Sequence, residues 1–237
     1  MQMLAGTSGY SYKEWLGHFY PEKLPANAML RYYAERFPTV EINNTFYRMP
    51  APDMLARWTE EVPSGFVFTL KAPRRITHDK RLREIGEDVA EFARRAAALG
   101  DKLGVLLFQL PPNLKKDLAL LDDVLGALPP DRRIVLEFRH ASWQDDEVYE
   151  LLRSHSAIVC VADFDEGETP LVSTAKCGYL RLRRQNYDER ELRAWAERIA
   201  AQPWALAYVY FKHEDEGLGP KFAQQFIDLW RTVQGTN

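Results

Sequence analysis

Short β-type runs alternate with amphipathic helical stretches from one end of the sequence to the other. The alternation repeats eight times, and no Gly/Ser linker or shift of composition divides the 237 residues. Together these observations predict the α/β class, and within it a single (β/α)₈ TIM barrel spanning residues 1–237, because strands joined by helical crossovers pair in parallel and eight such units close on themselves.

The strands are expected at Met3–Thr7, Thr39–Thr45, Phe66–Ala72, Gly104–Leu110, Arg133–Arg139, Ala157–Asp163, Tyr179–Arg183 and Leu206–Lys212. Helices are expected between them at Ala26–Arg36, Ala51–Glu61, Gly86–Leu99, Leu118–Leu128, Asp145–Ser154, Asp188–Ala201 and Pro220–Val233. Punctuation supports this map. Asp188 followed by Glu191 has the spacing of a capping box, Pro220 suits a first helical turn, and Pro38, Pro63 and the pair Pro129-Pro130 end three helices. The sixth crossover, Phe164 to Lys176, holds Gly167, Pro170 and several Ser and Thr residues. It is expected to be irregular and to lack a full helix.

Hydrophobic residues make up 46% of the chain and charged residues 27%, enough to build a sizeable core. The formal charge of −3 removes a global attraction to nucleic acid or to an anionic membrane surface. No apolar run approaches a membrane span, and the first residues lack the basic and apolar segments of a signal peptide, so a cytoplasmic protein is expected. Cys160 and Cys177 have no metal-type spacing, and Cys160 lies in an apolar run that suits a buried thiol. The oligomeric state is left open.

Side chains alternate across a strand, so each barrel strand presents one set to the helices and the other to the barrel interior. In the fifth strand Ile134, Leu136 and Phe138 form an apolar outer set, while Val135, Glu137 and Arg139 form an inner set that turns charged toward the C-terminal end. The same parity groups Glu41 with Asn43, Thr69 with Lys71, Gln109 with Val105 and Leu107, and Asp163 with Val159 and Val161. It also puts Arg181 with Arg183, and Lys212 with Tyr208 and Tyr210. Polar groups are therefore expected to converge at the C-terminal face, where barrels of this kind place their sites. Glu41, Glu137 and Asp163 stand there against Lys71, Arg139, Arg181, Arg183 and Lys212, a balance of +2 that an anionic ligand would offset.

The motifs along the chain resemble those of the domain-of-unknown-function 72, or YecE-like, proteins. The resemblance rests on Gly6-Thr7-Ser8-Gly9-Tyr10 with Trp15 and Phe19-Tyr20-Pro21, on Glu41-Ile42-Asn43-Asn44-Thr45-Phe46-Tyr47-Arg48, and on Lys71-Ala72-Pro73-Arg74 with Thr77-His78. It continues through Gln109-Leu110-Pro111-Pro112, Glu137-Phe138-Arg139-His140 and Ser142-Trp143. The resemblance implies a TIM barrel and implies no activity. The chain departs from the commoner pattern at Arg183-Arg184, where His-Gly is frequent, and at Lys212-His213, where paired Asn is frequent.

The functional reading of the residues is a C-terminal-face pocket for a small phosphate- or carboxylate-bearing ligand, with acid-base chemistry of hydrolase or lyase type carried by Glu41, Glu137 and Lys71. Ligand contacts are expected from Arg139, Asp163, Arg181, Arg183 and Lys212, and from Ser8, Tyr10, Asn43, Tyr47, Arg74, His78, Gln109 and Trp143 around them. A phosphate position near Arg181, Arg183 and Arg184 and the start of the last helix is a further expectation, opposed by Glu214, Asp215 and Glu216.

Two other classes stay open. One is metal-assisted hydrolysis or nucleic-acid binding. A divalent metal would draw on His78, His140 and His213, whose spacing matches no known ligand pattern, and nucleic acid would draw on the basic loop Arg74, Arg75, His78, Lys80, Arg81 and Arg83. The other class is a metabolite-binding module without turnover. No cofactor is expected, nor a membrane partner.

Overall fold

The computed structural model describes residues 1–235. The barrel consists of eight parallel strands: β1 (Gln2–Ser8), β2 (Thr39–Ile42), β3 (Val67–Lys71), β4 (Leu103–Gln109), β5 (Arg133–Glu137), β6 (Ile158–Phe164), β8 (Cys177–Leu182) and β9 (Leu206–Phe211). Each pairs with the next, and β9 returns to β1 with Leu4 opposite Tyr208 and Gly6 opposite Tyr210, which closes the sheet and leaves no barrel edge unpaired. The remaining strand, β7 (Gly167–Glu168), is two residues long and pairs antiparallel with the end of β6.

The crossover between β6 and β8 therefore contains no helix, as its Gly, Pro, Ser and Thr content predicts. It is pinned by side chains instead. Thr169 Oγ1 accepts from the Ala162 amide at 2.8 Å, and Thr174 Oγ1 accepts from the Val159 amide at 3.0 Å.

The surrounding helices are α1 (Met29–Ala34), α2 (Pro52–Glu61), α3 (Gly86–Ala96), α4 (Leu118–Ala127), α5 (Asp146–Ser154), α6 (Glu189–Ala200) and α7 (Leu218–Gly235). The capping box of α6 is present in full, with Asp188 accepting from the Glu191 amide and Glu191 accepting from that of Asp188. Asp117 and Asp145 cap α4 and α5 by accepting from the Leu120 and Glu147 amides, without the reciprocal bond. The first helix is shorter than predicted, since Ala26–Ala28 form a 3₁₀ turn before α1. The last begins two residues before Pro220, which then sits in its first turn. No helix among the described residues is long and apolar enough to cross a membrane.

Two cores result from strand alternation. Val40, Ile42, Phe68, Leu70, Leu106, Phe108, Ile134, Leu136, Leu180, Leu182, Val209 and Phe211 face the helices. Leu4, Val105, Leu107, Val135, Ile158, Cys160, Tyr179, Tyr208 and Tyr210 fill the barrel interior. This plug of aliphatic and tyrosine side chains closes the barrel below its C-terminal end. Tyr210 is fully buried, and its hydroxyl is satisfied by Thr39 and Thr69 at 2.7 and 2.9 Å. Cys160 and Cys177 are free, buried thiols.

The inner core corrects one expectation. Ile158 and Cys160 point inward, whereas Val159 and Val161 join the outer core, so Asp163 lies on the helix-facing side of β6. Strand β6 is apolar on both faces, and a strand without alternation does not reveal its own register.

β1 approaches β2 too closely for any side chain at position 6. A Cβ on Gly6 would lie 2.1 Å from the Thr39 carbonyl oxygen and 2.8 Å from the Tyr33 hydroxyl, which itself binds the Thr7 amide. Gly6→Ala should therefore destabilise the barrel by about 3 kcal/mol or more through overpacking against backbone. Chemical denaturation checks this, and an unchanged midpoint would show that the two strands part freely.

Candidate functional site

Glu41, the inward residue at the end of β2, and Glu137, the last residue of β5, are 0% and 1% exposed. Between them lies Arg181 of β8, 1% exposed, which donates to Glu41 Oε1 at 2.8 Å and to Glu137 Oε2 at 2.5 Å. The Tyr179 hydroxyl donates to the other Glu41 oxygen, and Asn43 Nδ2 donates to Oε1 at 3.2 Å. Two carboxylates are thus bound to one guanidinium in a place without solvent. Such a triad is tolerable because its opposite charges offset one another, although Arg181 Nε and Glu137 Oε1 make no hydrogen bond among the described residues. Burial pushes the Glu41 carboxyl up, but Arg181 and the Tyr179 hydroxyl outweigh it and hold the group below the usual carboxylate range. The Arg181 charge is opposed by burial and held firmly by Glu137 and Glu41.

Above the triad the groups are partly open and cationic. Arg139, two residues beyond Glu137 on the inner parity, brings an Nη to 2.6 Å from Glu137 Oε1, and Arg183, two beyond Arg181, reaches 3.6 Å from the same oxygen. Their side chains are 17% and 19% exposed, and both guanidiniums flank the Phe164 ring, at 5.1 and 5.7 Å from its centroid. Three guanidiniums therefore share the single carboxylate of Glu137. Arg139 Nε and Arg183 Nη1 are buried donors without a hydrogen-bond acceptor among the described residues.

Lys71, the last residue of β3, is enclosed differently. Its Nζ donates to Gln109 Oε1 at 2.8 Å and lies 4.1 Å from the centroid of the Phe46 ring. Among the described residues it has no ion-pair partner, because the nearby carboxylates are occupied by arginines. Burial pushes the ammonium down, Arg181 and Lys212 push the same way, and Glu137 and Glu41 offset only part of this, so that it titrates at about 8 instead of 10.5. Lys212 follows β9, with Glu214 at the 4.0 Å limit of an ion pair. Burial and the neighbouring Arg183 lower its pKa as well. The inner face thus sets Glu41 and Glu137 against five cations, an excess of +3, one more than parity predicts once Asp163 is removed.

The other expected residues separate into neighbours and bystanders. Gln109, Asn43 and Ser8 belong to the cluster or its edge, and the buried Asn43 Oδ1 has no hydrogen-bond partner among the described residues. His78 packs edge-on to Phe46 with ring centroids 4.9 Å apart, and burial followed by Lys71 and Arg74 lowers its pKa. Tyr10 lines a recess of about 170 Å³ with Ser11, Tyr12, Asn43 and Asn44 at the β1–β2 mouth.

Four residues stand apart. Asp163 accepts from the Arg183 amide and the Tyr187 hydroxyl on the helical side, at 2.7 and 2.6 Å. Trp143 is fully buried, stacked on Phe138 at 4.7 Å with its indole N–H bound to the Leu114 carbonyl, so it is packing. Arg74 is exposed and paired with Asp79 at 3.1 Å, and Tyr47 is 77% exposed.

Of the three arginines expected beside the start of the last helix, one is engaged elsewhere. Arg184 turns to Glu191 of α6 at 2.7 Å, while Gly219 at the helix start packs against His213 O, Thr7 and Trp15. Glu214, Asp215 and Glu216 are exposed.

Arg74 of the basic loop pairs with Asp79 inside it, and Arg83 reaches Asp117 outside it at 3.6 Å. Arg75 and Lys80 both bind Asp88 at 2.7 Å, and Arg81 donates to the Asn113 side chain at 2.9 Å. No group of three or more His, Cys, Asp or Glu side chains among the described residues is placed to hold a metal ion. The cations around Glu137 would also oppose one there.

Three residues of the cluster escape the sequence reading. Tyr179 shares the inner parity of Arg181, which is the signal that identifies it. Phe46 lies within the Asn-Asn-Thr-Phe run beside Asn43, and Phe164 ends β6.

A closed eight-stranded parallel barrel with this arrangement of motif residues has clear relatives. The family model described as "Protein of unknown function DUF72" matches residues 4–236. The chain belongs to the DUF72 family. Among curated relatives, the UPF0759 protein YunF of Bacillus subtilis (strain 168) is 27% identical over 92% of this chain and 79% of its own length. The UPF0759 protein YecE of Escherichia coli (strain K12) is 35% identical over 112 residues, a match that spans 47% of this chain and only 41% of that protein. Among solved structures, a DUF72 family protein from Thermotoga maritima MSB8 superposes with a TM-score of 0.88 at 28% identity, covering 98% of this chain and all of that one. This barrel is therefore shared with the solved DUF72 structure, while the family description assigns no reaction to it.

Proposed function

We propose that this DUF72 protein binds a small anionic metabolite, through a carboxylate or phosphate group, at the C-terminal face of the barrel, and acts on it with Lys71 as the acid-base group. The observation that carries this reading is the sharing of one carboxylate, Glu137, by Arg181, Arg139 and Arg183, with Arg139 Nε and Arg183 Nη1 left without acceptors. Buried donors of this kind call for an acceptor, and guanidiniums suit carboxylate and phosphate oxygens. Glu41 and Glu137, enclosed and bound to Arg181, act in this reading by fixing the guanidinium layer, and the proton moves at Lys71, whose Nζ is held by a neutral amide.

The sign of the pH dependence follows from that amine. A bound anion favours the ammonium form, so affinity is full below about pH 8 and declines as the pH rises through it. Lys71 is faced by Arg181, Glu137, Glu41, Lys212 and His78, and of these Lys212, whose pKa is lowered as well, acts in the same direction. Calorimetry with sulfate, whose own charge is constant over this range, should show affinity falling about fivefold to tenfold from about pH 7 to about pH 9. In Lys71→Met that slope should largely vanish. No sulfate binding at neutral pH, or a slope unaffected by the substitution, would count against the reading.

A further inference from the structure

Lys71 presents a problem that acid-base chemistry alone does not explain. A buried ammonium normally acquires a carboxylate partner, because an isolated charge is costly to desolvate. Here two fully buried carboxylates belong to the same cluster, yet both are committed to arginines, and the lysine faces a neutral amide and an aromatic ring. Its ammonium has three donors, and a single acceptor, Gln109 Oε1, is supplied by the surrounding side chains. A lysine adjacent to other cations and withheld from a counter-ion is the arrangement that makes an amine nucleophilic near neutral pH.

Resting on the anion-site reading above, we propose that Lys71 forms an imine with an anionic carbonyl compound, an oxo acid or aldehyde phosphate whose charged group is held by Arg139 and Arg183. The neutral amine donates its electron pair to the carbonyl carbon and the carbonyl oxygen takes up a proton. The resulting carbinolamine loses its hydroxyl as water, leaving a protonated imine on Nζ. One C=N bond replaces one C=O bond, one water leaves, and no oxidant or reductant is needed. The depressed titration of Lys71, at about 8, leaves a substantial neutral fraction at physiological pH, where a free lysine has almost none. The Phe46 ring lies against the amine itself, its centroid 4.1 Å from Nζ, and Gln109 fixes the direction of the amine.

The test is reductive trapping with glyoxylate and cyanoborohydride on the full chain, followed by peptide mass mapping. The hydride reduces the imine to a stable secondary amine and leaves a carboxymethyl group. Labelling is expected at Lys71 about tenfold faster than at exposed lysines such as Lys13, Lys23 and Lys115, and suppression by sulfate is expected. Lys71→Arg keeps the charge and removes the nucleophile. It should still bind sulfate in calorimetry, which also shows that it has folded, and should give no adduct at position 71 and no new favoured site.

The outcomes separate the two readings. Sulfate binding with labelling spread evenly over surface lysines overturns the imine and leaves the anion site intact. Preferential labelling of Lys71 that neither sulfate nor Arg139→Ala diminishes overturns the role of the arginines and retains the nucleophile. Absence of both sulfate binding and Lys71 labelling overturns both.

Discussion

Replacing Arg181 with Met should destabilise the folded protein by about 3–5 kcal/mol at neutral pH, because it leaves Glu41 and Glu137 buried with their shared cation gone. Met approximates the length of the arginine stem, so the loss is electrostatic more than volumetric. The pH dependence gives the effect a signature. In the native chain Glu41 is held below its ordinary pKa and contributes stability above its unfolded value of about 4.5, lost as the pH falls through the lower folded value. Without Arg181, burial and the repulsion from Glu137 should raise the Glu41 carboxyl, so the deficit is largest at neutral pH and shrinks as the solution is acidified toward about pH 4. The triple variant Arg181→Met, Glu41→Gln, Glu137→Gln removes all three charges and should recover most of the loss. Denaturant titrations of the single and triple variants at neutral and acidic pH measure this directly. A single variant as stable as the native chain would show that the triad is not closed to water.

The second large effect concerns ligand affinity. The double variant Arg139→Ala, Arg183→Ala should lower sulfate affinity by about 100-fold or more, since a hydrogen bond to a charged group contributes about 1.5–3 kcal/mol and two arginines are removed. Arg74→Ala is the control. Arg74 lies in the same motif region but is exposed and paired with Asp79, so sulfate affinity should stay within about twofold of the native value. Calorimetry at fixed ionic strength distinguishes a defined site from general charge attraction. Equal losses from Arg74→Ala and from the pair would mean that net charge, not the strand-end arginines, governs binding.

Much of this geometry was legible in the chain because the barrel enforces alternation. Wherever a strand has one apolar and one polar set, as in Ile134, Leu136 and Phe138 against Val135, Glu137 and Arg139, parity identifies the inner residues correctly. It fails at β6, where Ile158, Val159, Cys160 and Val161 are all apolar and the polar Asp163 suggests the wrong face. Motif membership misleads in a different manner. Trp143 and Arg74 belong to motif segments, yet one serves packing and the other a surface ion pair, and sequence proximity to a strand end does not separate these roles. Nor does a one-dimensional pattern reveal who pairs with whom. That Arg181 takes both glutamates, leaving Lys71 with an amide, depends on angles around the barrel.

Lys71 is the most sensitive reporter of the excess of cations at the strand ends. The most direct measurement is the titration of the Lys71 side chain by NMR, using isotope-labelled lysine and Lys71→Arg for assignment, without and with sulfate. A midpoint near 8 that moves upward when sulfate is added is the expected result. A midpoint near that of a free lysine, indifferent to sulfate, would contradict it.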